Sequence, residues 1–214
     1  MPIELPPGID DYIEAHTSPP GSHLDDLARE TADVLGRASG MLVGALEGRF
    51  LEFLVFALQP RVVVEVGTFT GYSAIAMAAA LPPGGRIVTC EISETHAEIA
   101  RKHIARAGFE DVITVRLGPA TDTLASLDER IDFAFIDADK TNYLAYYEAI
   151  LPKLATTGIM AVDNTLWSGR VADVTADDAD TVALKAFNAH VVKDPRVLCA
   201  MLPIRDGVTL VRRR

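Results

Sequence analysis

Apolar residues change their period along this chain. Up to Pro60 they recur at helical spacing; from Val62 onward, short apolar runs alternate with helical stretches. Asp10 to His16 reads as a short helix, closed by the break Ser18-Pro19-Pro20-Gly21. The spacing predicts a second helix from Ser22 or His23 to about Ser39, with Leu24, Leu27, Thr31, Val34 and Leu35 inward. Gly40 to Gly44 reads as a linker. A third helix follows over about 46–58, with Phe50, Leu51, Leu54, Val55 and Leu58 inward, and Pro60 ends it.

Strands are predicted near 61–66, 86–91, 112–117, 131–137, 157–163, 196–202 and 207–212, and helices near 71–81, 93–107, 120–128, 142–154 and 177–192. Such alternation specifies an α/β fold with a mostly parallel sheet covered on both faces. The last two strands are joined only through Pro203-Ile204-Arg205-Asp206-Gly207, too short for a parallel crossover, so they form an antiparallel hairpin. The expected architecture is Rossmann-like and doubly wound. It has a seven-stranded sheet, an antiparallel C-terminal hairpin edge and an N-terminal helical cap. One domain is expected over 1–214, with the cap at 1–60 and the core at 61–214.

The stretch VVVEVGTFTGYSAIAM, Val62 to Met77, organises that core. It reads as a buried strand, a glycine turn and a helix N-terminus, where free N–H groups and side-chain-free backbone admit a ligand. The spacing G-x-x-x-G lacks the third glycine of the dinucleotide fingerprint. By itself the motif indicates a nucleoside-type ligand. A nicotinamide-dependent oxidoreductase is the first rival, but no Tyr-x-x-x-Lys pair follows; a catalytically silent binding protein is the second.

Composition narrows the classes. A formal net charge of −10 argues against nucleic acid and against an anionic membrane surface, both of which need a basic face. No apolar run approaches membrane-spanning length, and Met1 to Gly8 lacks the apolar core of a signal peptide, so the cytoplasm is the expected compartment. Cys90 and Cys199 lie in apolar runs and read as small buried hydrophobes.

In a doubly wound sheet, ligands bind beyond the carboxyl ends of the strands. Glu91 ends the second strand, where an acid can accept both ribose hydroxyls, and Gly118-Pro119-Ala120 follows the third, where a turn can touch a base. The fourth strand ends in Asp137, followed by Asp139 and Lys140; the fifth ends in Asp163-Asn164. Two neighbouring carboxylates repel unless a cation lies between them, and an all-oxygen set suits Mg²⁺ first, with Ca²⁺ or Mn²⁺ as alternatives. The same acids also suit helix caps, and these residues alone leave both readings open. Lys140, one turn beyond Asp137, fits a general base or a surface ion pair. Trp167 lies near the same crevice, as a substrate wall or as packing.

Taken together, VEVGTFTGYS, Glu91, Gly118-Pro119-Ala120, FIDADKTNY, DNTLWSGRV and MLPIRDGVTLVRR resemble the cation-dependent class I O-methyltransferases. These include the caffeoyl-CoA and catechol O-methyltransferase-like enzymes. The resemblance runs from about Leu24 to the end. It implies S-adenosylmethionine as methyl donor, with Glu65, Gly67 and Thr68 at its methionine part and Tyr72 and Ser73 nearby. It places Glu91 on the ribose, Ala120 near the adenine, and Val43, Asp137 and Asp139 as further donor contacts. It makes Asp137, Asp163 and Asn164 the cation ligands, with Lys140 and Asp137 as the catalytic pair. The implied acceptor is a small catechol-type molecule, with Trp167 and Ser168 at its wall, and the implied assembly is a homodimer. Two positions depart from the pattern: Ser168 stands where plant relatives carry a substrate-touching asparagine, and Arg49 where many relatives carry glutamine.

Overall fold

The computed structural model describes residues 7–214; residues 1–6, most of the segment read for a leader, lie outside the described part. Seven strands form one sheet: β1 (Val62–Val66), β2 (Arg86–Glu91), β3 (Ile113–Leu117), β4 (Ile131–Ile136), β5 (Leu154–Val162), β6 (Val197–Leu202) and β7 (Val208–Arg213). Their order is β3-β2-β1-β4-β5-β7-β6. The first five are mutually parallel, and β7 runs antiparallel to both β5 and β6, as the short 203–207 turn requires.

All five residues of β1 are buried, which is why the strand reads as an apolar run rather than an alternation. Successive side chains still point to opposite faces. Val63 joins one core layer with Ile75, Ile87, Phe133 and Phe135. Val62, Val64 and Val66 join the other with Tyr143, Tyr147, Ile150, Leu184 and Phe187.

Eight α-helices are described: α1 (Ile9–Ala15), α2 (Ser22–Leu35), α3 (Gly44–Leu58), α4 (Tyr72–Ala78), α5 (Glu94–Arg106), α6 (Ala120–Ser126), α7 (Tyr143–Ile150) and α8 (Ala179–Lys193). The cap helices share the first core layer through Leu24, Leu27, Leu51 and Val55. Where α3 crosses α4, Gly48 permits close approach: a Cβ there would stand 3.1 Å from the Tyr72 ring. Glu30 of α2 receives Lys102 at 2.5 Å and the buried His103 at 3.2 Å, both from α5. No described helix is long and apolar enough to cross a membrane.

Three expectations need correction. Helix α2 stops at Leu35 rather than Ser39, because Gly36 leaves the helical region (φ 54°, ψ −123°) and Gly36–Met41 winds as a 3₁₀ turn. Val34, within α2, is exposed instead of inward. The helix expected over 142–154 ends at Ile150. Leu151–Lys153 is a 3₁₀ turn containing Pro152, and β5 has already begun at Leu154. Cys90 is buried as expected, but Cys199, on edge strand β6, is partly exposed; both are free thiols.

Candidate active site

Register brings the site together. Val66 pairs with Ile136, and Ile136 with Val162, so the next residues, Gly67, Asp137 and Asp163, stand side by side at the carboxyl edge. The Asp137 N–H donates to the Val66 carbonyl at 2.9 Å, and the Asp163 N–H to the Ile136 carbonyl at 3.0 Å. Gly67 adopts φ 105°, and a Cβ there would lie 1.8 Å from the Asp137 carbonyl oxygen. Glycine is therefore obligatory where β1 passes β4, the point at which the strand order reverses and a crevice opens.

Two cavities of about 590 and 560 Å³ flank this point and share Met41, Gly67, Phe69, Asp137, Ala138 and Asp139 as a common wall. The first runs over β2 and β3 and is lined by Glu91, Gly118, Pro119, Ala120 and Tyr146. Glu91 is already anchored: one oxygen accepts the Phe69 N–H at 2.7 Å, the other the Ile92 and Ser93 N–H groups at 3.0 and 2.9 Å. Asp139 accepts the Tyr146 hydroxyl at 2.6 Å. Glu65 lines neither cavity. It lies fully buried beneath the glycine turn, where the Ser73 hydroxyl donates to it at 2.5 Å and the Thr89 hydroxyl donates to its other oxygen. Burial pushes its pKa up to about 8 against the opposing effect of those two donors.

The second cavity holds Val43, Thr68, Tyr72, Ser73, Lys140, Asp163, Asn164 and Trp167. Lys140 is nearly buried. Its ammonium donates to Asp137 Oδ1 at 3.0 Å, to Asn164 Oδ1 at 2.6 Å and to the Tyr143 hydroxyl at 2.6 Å. The Tyr143 hydroxyl in turn donates to the Asp163 carbonyl at 3.1 Å. The Trp167 ring lies 5.7 Å from the Lys140 ammonium. Burial raises the Asp163 pKa, and the negative charge of Asp137 adds to it.

The structure does not bring every expected residue to the crevice. Ser168 is exposed, outside both cavities, and its N–H donates to Asp206. Arg49 reaches to the Ser18 carbonyl at 3.2 Å and pairs with Glu52, tying α3 to the preceding loop.

Two residues without an expected role stand in the second cavity. Glu47 of α3 is 1% exposed, and Arg205, from the β6–β7 turn, reaches its Oε2 at 3.4 Å. Burial raises the Glu47 pKa, with Asp163 adding to the effect. A signal was available: Glu47, Leu51 and Val55 recur at helical spacing, which puts an acid on an otherwise apolar inward stripe. Arg205 offered no comparable signal.

Fold and site define a Rossmann-like protein with two adjoining cavities at the carboxyl edge of its sheet, the second rich in side-chain oxygens. The model of the O-methyltransferase family matches residues 14–214. The caffeoyl-CoA O-methyltransferase of Populus kitakamiensis is 37% identical over 215 residues, covering 94% of this chain and 92% of that protein. Among solved structures, the Bacillus cereus O-methyltransferase in complex with SAH superposes with a TM-score of 0.89 at 34% identity, with 97% of each chain covered. TomG from Streptomyces achromogenes, involved in tomaymycin synthesis and solved with SAM, gives 0.88 at 29% identity, with 96% of each chain covered. The chain belongs to this family of S-adenosylmethionine-dependent O-methyltransferases.

Proposed function

We propose that the enzyme transfers the methyl of S-adenosylmethionine to one hydroxyl of a catechol-type small molecule, with a divalent cation held by Asp137, Asp163 and Asn164. The observation that carries this reading is the group of acids on one sheet edge beside Lys140. Burial and the negative charge of Asp137 disfavour the charged forms of Asp163 and Glu47. An all-oxygen donor set of this charge fits a hard ion such as Mg²⁺. Glu47 Oε1, buried without a hydrogen-bond partner, shows that the cavity has an excess of acceptors over donors.

The donor would lie in the first cavity, its ribose against Glu91 and its adenine against Ala120. Gly67 lies at the shared wall, and the donor's methionine part would pass it to reach Val43, Thr68, Tyr72 and Ser73 in the second cavity, where the acceptor lies. A phenol has a pKa of about 10, so the acceptor is mostly protonated at neutral pH. The bound cation would supply a lowered hydroxyl pKa and a fixed orientation for two adjacent oxygens. Lys140, as the neutral amine, takes the acceptor's proton at Nζ and becomes the ammonium, and Asp137, Asn164 and Tyr143 fix where that nitrogen sits. Trp167 bounds the ring on the side away from the sheet. Holding both reactants in one crevice supplies the remaining advantage.

A homodimer belongs to the same reading. Phe53 and Phe56, 67% and 66% exposed on α3, give the cap an outward aromatic face. So does a cytoplasmic setting, in keeping with two free thiols.

The test is methyl transfer to a catechol after exhaustive chelation. Activity is expected to vanish and to return with Mg²⁺. Unchanged transfer without a metal ion would overturn the cation's role, and transfer to a lone phenol as fast as to a catechol would overturn the acceptor class.

A further inference from the structure

Helix α3 delivers a carboxylate to the acceptor cavity that the cation reading leaves unused. Glu47 sits in the first turn of α3, and the neighbouring Gly48 lets that helix close against Tyr72. The close approach turns Glu47 inward. Its two oxygens then meet different surroundings. Oε2 faces Arg205, whose guanidinium also donates to the Leu42 and Val43 carbonyls and so fastens the start of α3. Oε1 is buried and accepts no hydrogen bond, in a side chain that lines the cavity with Asp137, Asp163 and Asn164.

A buried carboxylate oxygen without a donor is costly, and proteins keep one only where something else satisfies it. The cationic side chains lining this cavity are Lys140 and Arg205. Lys140 is committed to Asp137, Asn164 and Tyr143, and Arg205 reaches only the far oxygen of Glu47. Asp163 stands within hydrogen-bonding reach of Glu47, an acid facing an acid, and such a pair is held either by one shared proton or by a positive guest. We propose that Glu47 is a further member of the cation site, holding the divalent ion through Oε1 together with Asp137, Asp163 and Asn164. The cap then contributes a ligand group to a centre otherwise built by the sheet, and Arg205 keeps that group in place. This rests on the cation dependence proposed above.

The test is Mn²⁺ titration of metal-stripped protein, followed by the electron paramagnetic resonance of the free ion. The parent is expected to bind one ion per chain at this site, and Asp163→Asn to lose it. Glu47→Gln should weaken binding roughly tenfold or more, the scale on which groups supporting a metal site act. Glu47→Asp, which keeps the charge, should bind more tightly than Glu47→Gln, and Glu52→Gln on the same helix should bind as the parent does. Without metal, Glu47→Gln is expected to unfold at or above the parent's temperature, since it removes a buried acid; the rise on adding Mn²⁺ should shrink. Parent-like Mn²⁺ affinity in Glu47→Gln would overturn the inference and leave Glu47 as Arg205's partner alone. A parent that binds no ion would instead overturn the cation reading on which it rests.

Discussion

The two sides of the crevice treat their acids in opposite ways. Along the first cavity Glu91 accepts three backbone N–H groups, and beneath the glycine turn Glu65 accepts two hydroxyls. In the second cavity, Glu47 has a bare buried oxygen, and burial together with the charge of Asp137 raises the pKa of both Glu47 and Asp163. The donor side is complete in the protein alone, its carboxylates fixed before any ligand arrives. The second cavity is lined by more acids than Lys140 and Arg205 can pair, which is the ground for the cation proposed there. Preorganisation and electrostatic demand are thus separated by one wall, made by Gly67 and Asp137.

The wall itself is the most sensitive point. Gly67→Ala places a methyl inside the Asp137 carbonyl and forces a side chain onto φ 105°. A loss of roughly 3 kcal/mol or more in unfolding free energy is expected, read by chemical denaturation. A variant that folds normally and binds donor normally would show that the two sides do not depend on this contact.

Lys140→Met sharpens the comparison from the acceptor side. It should lower kcat by about a hundredfold or more, the scale of general acid–base catalysis. The affinity for the donor's demethylated product should stay within about twofold, because Lys140 lines only the second cavity. Equal losses in both measurements would mean the cavities are not separable.

The last prediction probes the buried acid beneath the glycine turn through pH. Glu65 in the folded chain titrates near 8, well above the ordinary carboxylate value. Between about pH 5 and 8 the folded state therefore holds a proton that the unfolded state has released. Stability should fall as pH rises through this window. Glu65→Gln should flatten that part of the profile. An unaltered slope in Glu65→Gln would assign the pH dependence elsewhere, for example to Glu47 and Asp163.

The sequence carried the sheet well because its strands are short apolar runs and its turns are short. Once β1, β4 and β5 were placed in parallel, Gly67, Asp137 and Asp163 had to converge, since each follows its strand directly. What was less legible depends on tertiary docking. Glu47 reaches the cavity only because α3 packs on α4 at Gly48, a contact between segments far apart in sequence. Ser168 follows Trp167 directly, yet a run of left-handed backbone from Trp167 to Gly169 turns it outward. The end of α2 depended on how Gly36 resolves, and a glycine permits both continuation and exit.

Diffraction from crystals soaked in Mn²⁺, recorded near the manganese absorption edge, tests the central claim most directly. The account predicts an anomalous peak bounded by the Asp137, Asp163 and Asn164 side-chain oxygens, on the Glu47 side of the crevice. The contrary result is a crevice without a peak, with the ion instead among Glu148, His190 and Asp194. Those three form a cluster within 4.8 Å elsewhere on the chain, and Arg196 already pairs with both of its acids.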